Sequence, residues 1–368
     1  MRSSTSSSNI DQDIRTVPPG RWLWAVVGAV AFLVVFVAFM ELRLAKRGFD
    51  ATVVDSDALW FKQRARASEL GERALILVGA SRMQLDLDLD VLTEKSGFIP
   101  VQLAVDGSSF MPILDELSQD PSITGTLLVG YQDNDVNIAD TNDRAVHLAV
   151  EWQQHGTHRH LPDFQTAETF LSDNLRHKLR SYADGARPIT SLLLRVMDHS
   201  ATPQYLETLP DRSRIADYQR VAMPSFYYSR VVRNLGDEVP LKEGMSWIEL
   251  NAEIQLRIDT LKPTEKIAFD RNSHQIATMV KLIEKRGGKV IFIVMPRSGM
   301  VLDIDNKRFP RAIFWNNFVA QTKSASINVE NYPELSKFQC PDGSHLDSRD
   351  RSNFTAALIE VMNSLKSR

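Results

Sequence analysis

Residues Trp22 to Met40 read WLWAVVGAVAFLVVFVAFM and contain no charged side chain. No other stretch restricts the possible folds of this chain as strongly. A helix rises about 1.5 Å per residue, so this one would span roughly 28 Å, close to the hydrocarbon thickness of a bilayer. Arg21 bounds it on one side and Glu41 on the other, and Trp22 and Trp24 suit the membrane interface. A cleaved signal peptide would have a shorter apolar core, about 7–15 residues, followed by small residues at the cut. Here Glu41-Leu42-Arg43 follows instead. A buried core helix would carry a polar stripe, and this segment has none. The segment is therefore expected to be an uncleaved single-pass anchor. Arg2, Arg15 and Arg21 precede it and Arg43, Lys46 and Arg47 follow it, so the positive-inside rule does not orient it. Residues 1–21, nearly all Ser over positions 3–8, read as a disordered tail.

The remaining length allows one large domain or two ordinary ones. A net charge of -3, with no Lys/Arg stripe, argues against a nucleic-acid partner. Cys340 is the only cysteine, which excludes an intramolecular disulfide and a multi-cysteine zinc site but leaves the compartment open.

Residues 41–73 read as a helical connector, with Asp55 or Ser56 capping a helix that runs to about Leu70 and ends at Gly71. The short apolar run Ala74–Val78 then has the character of a buried parallel strand. Strands and helices alternate after it. Strands are expected at Pro100–Val105, Thr126–Gly130, Lys289–Met295 and Ile327–Val329. Helices are expected near Asp90–Ser96, Ser109–Gln119, Asn272–Lys285, Phe314–Lys323 and Arg351–Leu365. This rhythm predicts an α/β domain over 74–368: a flavodoxin-like, three-layer fold with a parallel sheet of about five strands and helices on both faces. Between about 133 and 266 the rhythm breaks. Leu171, Leu175 and Leu179 repeat at helical spacing, and Pro188 to Met197 also reads as helix, so a mainly helical insertion is expected as a cap over the sheet.

Open parallel sheets bind ligands beyond the carboxyl ends of their strands. The residues there are Gly79-Ala80-Ser81-Arg82, Asp106-Gly107-Ser108, Tyr131-Gln132-Asp133-Asn134 and Pro296-Arg297-Ser298. A Ser in a tight turn directly after the first strand is well placed as a nucleophile, with backbone amides available to an oxyanion. Asp342-Gly-Ser-His345 lies between the last strand and the last helix, at the same edge, so a Ser-His-Asp device can assemble from the two ends of the domain.

These residues resemble the SGNH (GDSL-like) hydrolase superfamily over about 74–131 and 270–365. Its first block places the catalytic Ser after strand one, matched here by Gly79-Ala80-Ser81, with Ala80 in place of the usual Asp. Its second block supplies an oxyanion Gly, matched by Gly107, and its last block is Asp-x-x-His, matched by Asp342 and His345. The third block departs from Gly-x-Asn-Asp and reads Gly130-Tyr-Gln-Asp-Asn134-Asp135, so the side-chain oxyanion donor would be Asn134 or Gln132. The layout also looks like membrane-anchored SGNH proteins of bacterial envelopes, some of which acetylate or deacetylate exported polysaccharides. The resemblance implies Ser81 as nucleophile, His345 as base and Asp342 as its orienting partner. It implies an acylated carbohydrate or other ester as substrate, other envelope-biosynthesis proteins as partners, and no cofactor. It places the domain outside the cytoplasmic (inner) membrane. Water and a sugar hydroxyl both remain open as acyl acceptor. A different class of function is a catalytically weak or inactive SGNH-like subunit that scaffolds a polysaccharide assembly.

Other features read as structural. His155, His158 and His160 suit a solvated loop better than a metal site. Asp86, Asp88 and Asp90 lack the Gly and Glu of a calcium loop and suit a half-buried segment ending in a helix cap. Phe226-Tyr227-Tyr228 suits packing within the cap, and Cys340 a buried position. Arg82 and Arg297 suit either an anionic substrate or structural pairing. A nucleotide-binding reading lacks both a Gly-x-Gly-x-x-Gly turn after strand one and a P-loop.

Overall fold

The computed structural model describes residues 22–138, 143–156, 178–180, 204–236 and 244–366. The tail 1–21, His158, His160, and the stretches holding Leu171, Leu175 and Pro188–Met197 lie outside the described residues. Helix α1 (Trp22–Lys46) runs six residues past the apolar stretch, because Glu41–Lys46 are good helix formers and Arg43 and Lys46 suit the negative end of its dipole. Among the described residues it is the one helix long and apolar enough to cross a membrane, with a mean hydropathy of 2.7. Its apolar side chains from Leu23 to Phe39 stand largely exposed, unlike those of a core helix, whereas Met40 and Leu44 are buried.

Helix α2 (Asp57–Leu70) begins at Ser56, whose hydroxyl accepts the Leu59 amide, and ends at Gly71. It is more than a connector. Trp60 and Ala67 lie in the main core, and the Trp60 indole donates to the Leu103 carbonyl at 3.0 Å. Arg64, fully buried, forms a two-pronged pair with Glu116 (2.7 and 2.6 Å) and reaches Asp120 at 2.7 Å.

The chain then runs through β1 (Ala74–Val78), α3 (Ser81–Leu85), α4 (Leu89–Ser96), β2 (Ile99–Gln102), α5 (Met111–Gln119), β3 (Thr126–Gly130), α6 (Asp133–Asn137) and α7 (Arg144–His155). The insertion supplies β4 (Leu206–Thr208), β5 (Arg214–Ala216), α8 (Ser225–Leu235) and α9 (Trp247–Thr260). The domain closes with α10 (Phe269–Lys285), β6 (Lys289–Val294), α11 (Gly299–Arg308), α12 (Trp315–Thr322), β7 (Ala325–Asn328) and α13 (Ser348–Lys366). The main sheet has five parallel strands in the order β2-β1-β3-β6-β7, the doubly wound order 2-1-3-4-5. Alternate strand residues face opposite helical layers. Ile76, Leu127, Val129 and Phe292 pack with Trp60, Ile113, Ile276 and Phe318, while Leu75, Leu77, Leu128 and Ile293 pack with Leu92, Phe354 and Leu358.

The described residues of the insertion are mainly helical, with one short hairpin besides. Helix α7 packs beside α5 and α2, within a layer of the sheet. Strands β4 and β5 form an antiparallel hairpin, each three residues long, too short to print an alternating pattern. Helices α8 and α9 share a small core with α11 built on Val231, Ile254 and Val301.

Candidate active site

Parallel pairing of β1 with β2 continues beyond the strands themselves: Leu103 N donates to Leu77 O at 2.9 Å and Val105 N to Gly79 O at 2.8 Å. This carries Asp106-Gly107 alongside Ala80-Ser81 at the carboxyl edge. Gly79 has φ +145, and a Cβ there would lie 2.7 Å from Met83 Cγ and 3.3 Å from Gly130 Cα. Only glycine lets β1 turn so tightly beside β3, and the turn delivers Ser81 as the first residue of α3. Gly107, at φ +70, makes the corresponding exposed turn after β2.

The opposite half comes from the loop before α13. Asp342 Oδ1 accepts the amides of Ser344 (2.8 Å) and His345 (2.7 Å), folding the loop around its own carboxylate. Gly343, at φ +82, permits this fold. Ser298, beyond β6, fastens it: its amide donates to Gly343 O at 3.0 Å and its hydroxyl accepts the Cys340 amide at 2.9 Å. Leu346 N donates to buried Asp86 at 2.9 Å.

These two halves meet in a relay. Ser81 Oγ lies 2.9 Å from His345 Nε2, and His345 Nδ1 lies 2.9 Å from Asp342 Oδ2. Asp342 is 0 % exposed and His345 3 %. Burial lowers the imidazole's affinity for a proton, against the opposing pull of Asp342, so His345 is neutral at pH 7 and its Nε2 can accept from the serine. The Asp342 carboxyl is held far below the usual range despite its burial, through His345, the Ser344 amide and Arg230. Behind them, burial pushes the Asp86 carboxyl well up, against the Leu346 amide and Arg82.

Arg82 pairs structurally. Its guanidinium donates to Ser344 O (3.1 Å), Ser344 Oγ (2.9 Å) and Gln132 Oε1 (3.3 Å), tying the Ser81 turn to the His345 loop and the end of β3. Arg297 likewise pairs with Asp305 at 2.8 Å. Asn134 stands exposed on α6, so the geometry joins Ser81, His345, Asp342, Arg82 and Gln132 directly and leaves Asn134 at the rim. Asp88 caps α4, accepting the Asp90 and Val91 amides. Phe226 packs on Tyr205 and Tyr218, and Tyr228 stacks on Trp247. Burial raises the Cys340 thiol well above its usual range and leaves it unreactive.

Sequence reasoning missed three contributors, all from the insertion. Arg230 Nη2 sits 3.1 Å from Asp342 Oδ2. The Tyr218 phenol faces Asp342, whose charge adds to burial in pushing its ionisation up, and the Tyr218 amide donates to Asp347 at 3.0 Å. Arg212, buried at φ +69, donates to Gln102 O (2.8 Å), Ala104 O (3.0 Å) and Asp55 (2.6 Å), sealing the free edge of β2 just before Gly107. The spacing of Tyr227 and Arg230 places both on one face of a helix, but nothing local says that this face meets a carboxylate more than a hundred residues away.

Neither the family models nor the curated proteins contain a match to this chain.

Proposed function

We propose that this protein is a membrane-anchored serine esterase or O-acyltransferase of the SGNH type, acting on acyl esters of envelope carbohydrate. The observation that carries this reading is the relay Ser81–His345–Asp342 at the carboxyl edge of a parallel sheet, with 2.9 Å at both hydrogen bonds. Ser81 Oγ attacks the ester carbonyl while its proton passes to His345 Nε2. Asp342 holds the productive tautomer and stabilises the imidazolium. The amides of Ser81 and Gly107 receive the oxyanion. Collapse expels the alcohol, which takes the proton from His345 and leaves an acyl-serine. A second hydroxyl, from water or a sugar, gives its proton to His345 and attacks the acyl carbon. The acid or new ester departs, and Ser81 recovers its proton. Helix α1 keeps this chemistry at the surface of the cytoplasmic membrane, with the domain on the outer side beside other envelope-biosynthesis proteins.

A second reading, a weakly catalytic scaffolding subunit, draws on the third block: Asn134 is exposed, and the Gln132 carbonyl oxygen is engaged by Arg82. One experiment separates the two. The full chain in detergent is treated with a serine-reactive fluorophosphonate and with a chromogenic acetyl ester. Labelling and turnover lost in both Ser81→Ala and His345→Ala support the enzyme. A folded wild type that takes no label favours the scaffold, and activity that survives both substitutions refutes the site.

A further inference from the structure

Three hydrogen bonds and one ion pair converge on the Asp342 carboxylate. Oδ1 takes two amides of its own loop, and Oδ2 takes His345 Nδ1. Arg230 Nη2 forms an ion pair with the same Oδ2 at 3.1 Å, and the Tyr218 phenol faces the carboxylate. Arg230 shares an oxygen with the imidazole and brings a positive charge to a carboxylate already held by three hydrogen bonds. Its placement is built. Tyr227, three residues earlier on α8, accepts the Met300 amide at 2.8 Å and seats the helix on the start of α11.

We propose that Arg230 is a positioning residue of the triad, sharing Oδ2 of Asp342 with His345 so that it fixes the carboxylate and tempers the negative charge that reaches the imidazole. This inference rests on the triad reading above. The charged and titratable groups around His345 come from every side: Asp342 and Cys340 from its own loop, Arg82 from α3, Asp86 just beyond α3, Tyr218 from the turn after β5, and Arg230 from α8. Both cations lower the imidazole's proton affinity; Arg82 is hydrogen-bonded to Ser344 and Gln132, and Arg230 is the one paired with the carboxylate.

The test follows the His345 imidazole by NMR in the isotopically labelled full chain in detergent, its resonance identified by loss in His345→Gln. Arg230→Met removes the cation and should raise the His345 midpoint by about one pH unit. Arg230→Lys should keep it near the wild-type value. The acid limb of the fluorophosphonate labelling rate should move up with the midpoint. An unmoved midpoint in folded Arg230→Met overturns the proposal, as does an equal shift in Arg230→Lys. If Arg230→Met does not fold, Arg230→Gln, which keeps a donor without the charge, makes the same comparison. A wild type that takes no label but whose midpoint moves with residue 230 would refute the acyl-transfer reading and leave the coupling standing. A labelled wild type with an unmoved midpoint would do the reverse.

Discussion

Replacing Asp342 with Asn changes one atom of the relay and removes one charge. Oδ1 would keep the amides of Ser344 and His345, since those bonds define the loop. The new amide nitrogen would then occupy the position of Oδ2, facing His345 Nδ1 and Arg230 Nη2, both donors in the native protein. Two donors cannot bond, so the imidazole must adopt the tautomer with a bare Nδ1 and a proton on Nε2. That proton points at Ser81 in place of the lone pair that should accept from it. In a serine triad this loss of the correct tautomer costs about 10⁴ in turnover, or about 5.5 kcal/mol of transition-state stabilisation. Stability should suffer less. Arg230 loses its ion-pair partner, and because it is 25 % exposed, water recovers part of the loss, leaving about 1 kcal/mol. The fluorophosphonate labelling rate and a urea unfolding curve measure the two effects separately. A folded D342N protein labelled within tenfold of the wild-type rate would refute the tautomer argument and the role given to Asp342.

Two further outcomes are expected. Arg212→Met should destabilise the domain by about 3 kcal/mol, visible as a Tm lower by roughly 6–12 °C, because it removes a buried charge-assisted network and strands the Gln102 carbonyl, while Ala104 O keeps Gln84 and Asp55 keeps Arg144 as partners; an unchanged Tm would show that the hairpin does not seal that edge. Burial raises the Asp135 carboxyl from 3.8 to about 7, so the folded state holds a proton that the unfolded chain has released, and this contribution to stability is lost as pH rises from about 4 through 7. Asp135→Asn should therefore gain Tm relative to wild type between pH 5 and pH 8, and a gap that stays constant across that range would contradict the assignment.

The membrane-length helix, the strands Ala74–Val78 and Thr126–Gly130, and the helix before β6 are legible in the chain because their signals are local: an uncharged apolar run, a short apolar block closed by glycine, a helical repeat ending in Gly287-Gly288. Ser81, Asp342 and His345 were legible for a related reason. Each sits at a strand end or before a terminal helix, and a parallel sheet gathers those points at one edge. What the tertiary structure alone decided is the company they keep. A three-residue hairpin has no periodicity to read, and a helix's apolar stripe does not name its partner. Whether α2 joins the core through Trp60 and Arg64, and whether Tyr218 and Arg230 reach Asp342, depends on packing between segments more than a hundred residues apart in the second case. Local side-chain pattern encodes which face of an element is buried; the contacts that face then makes are set only when the layers close on one another.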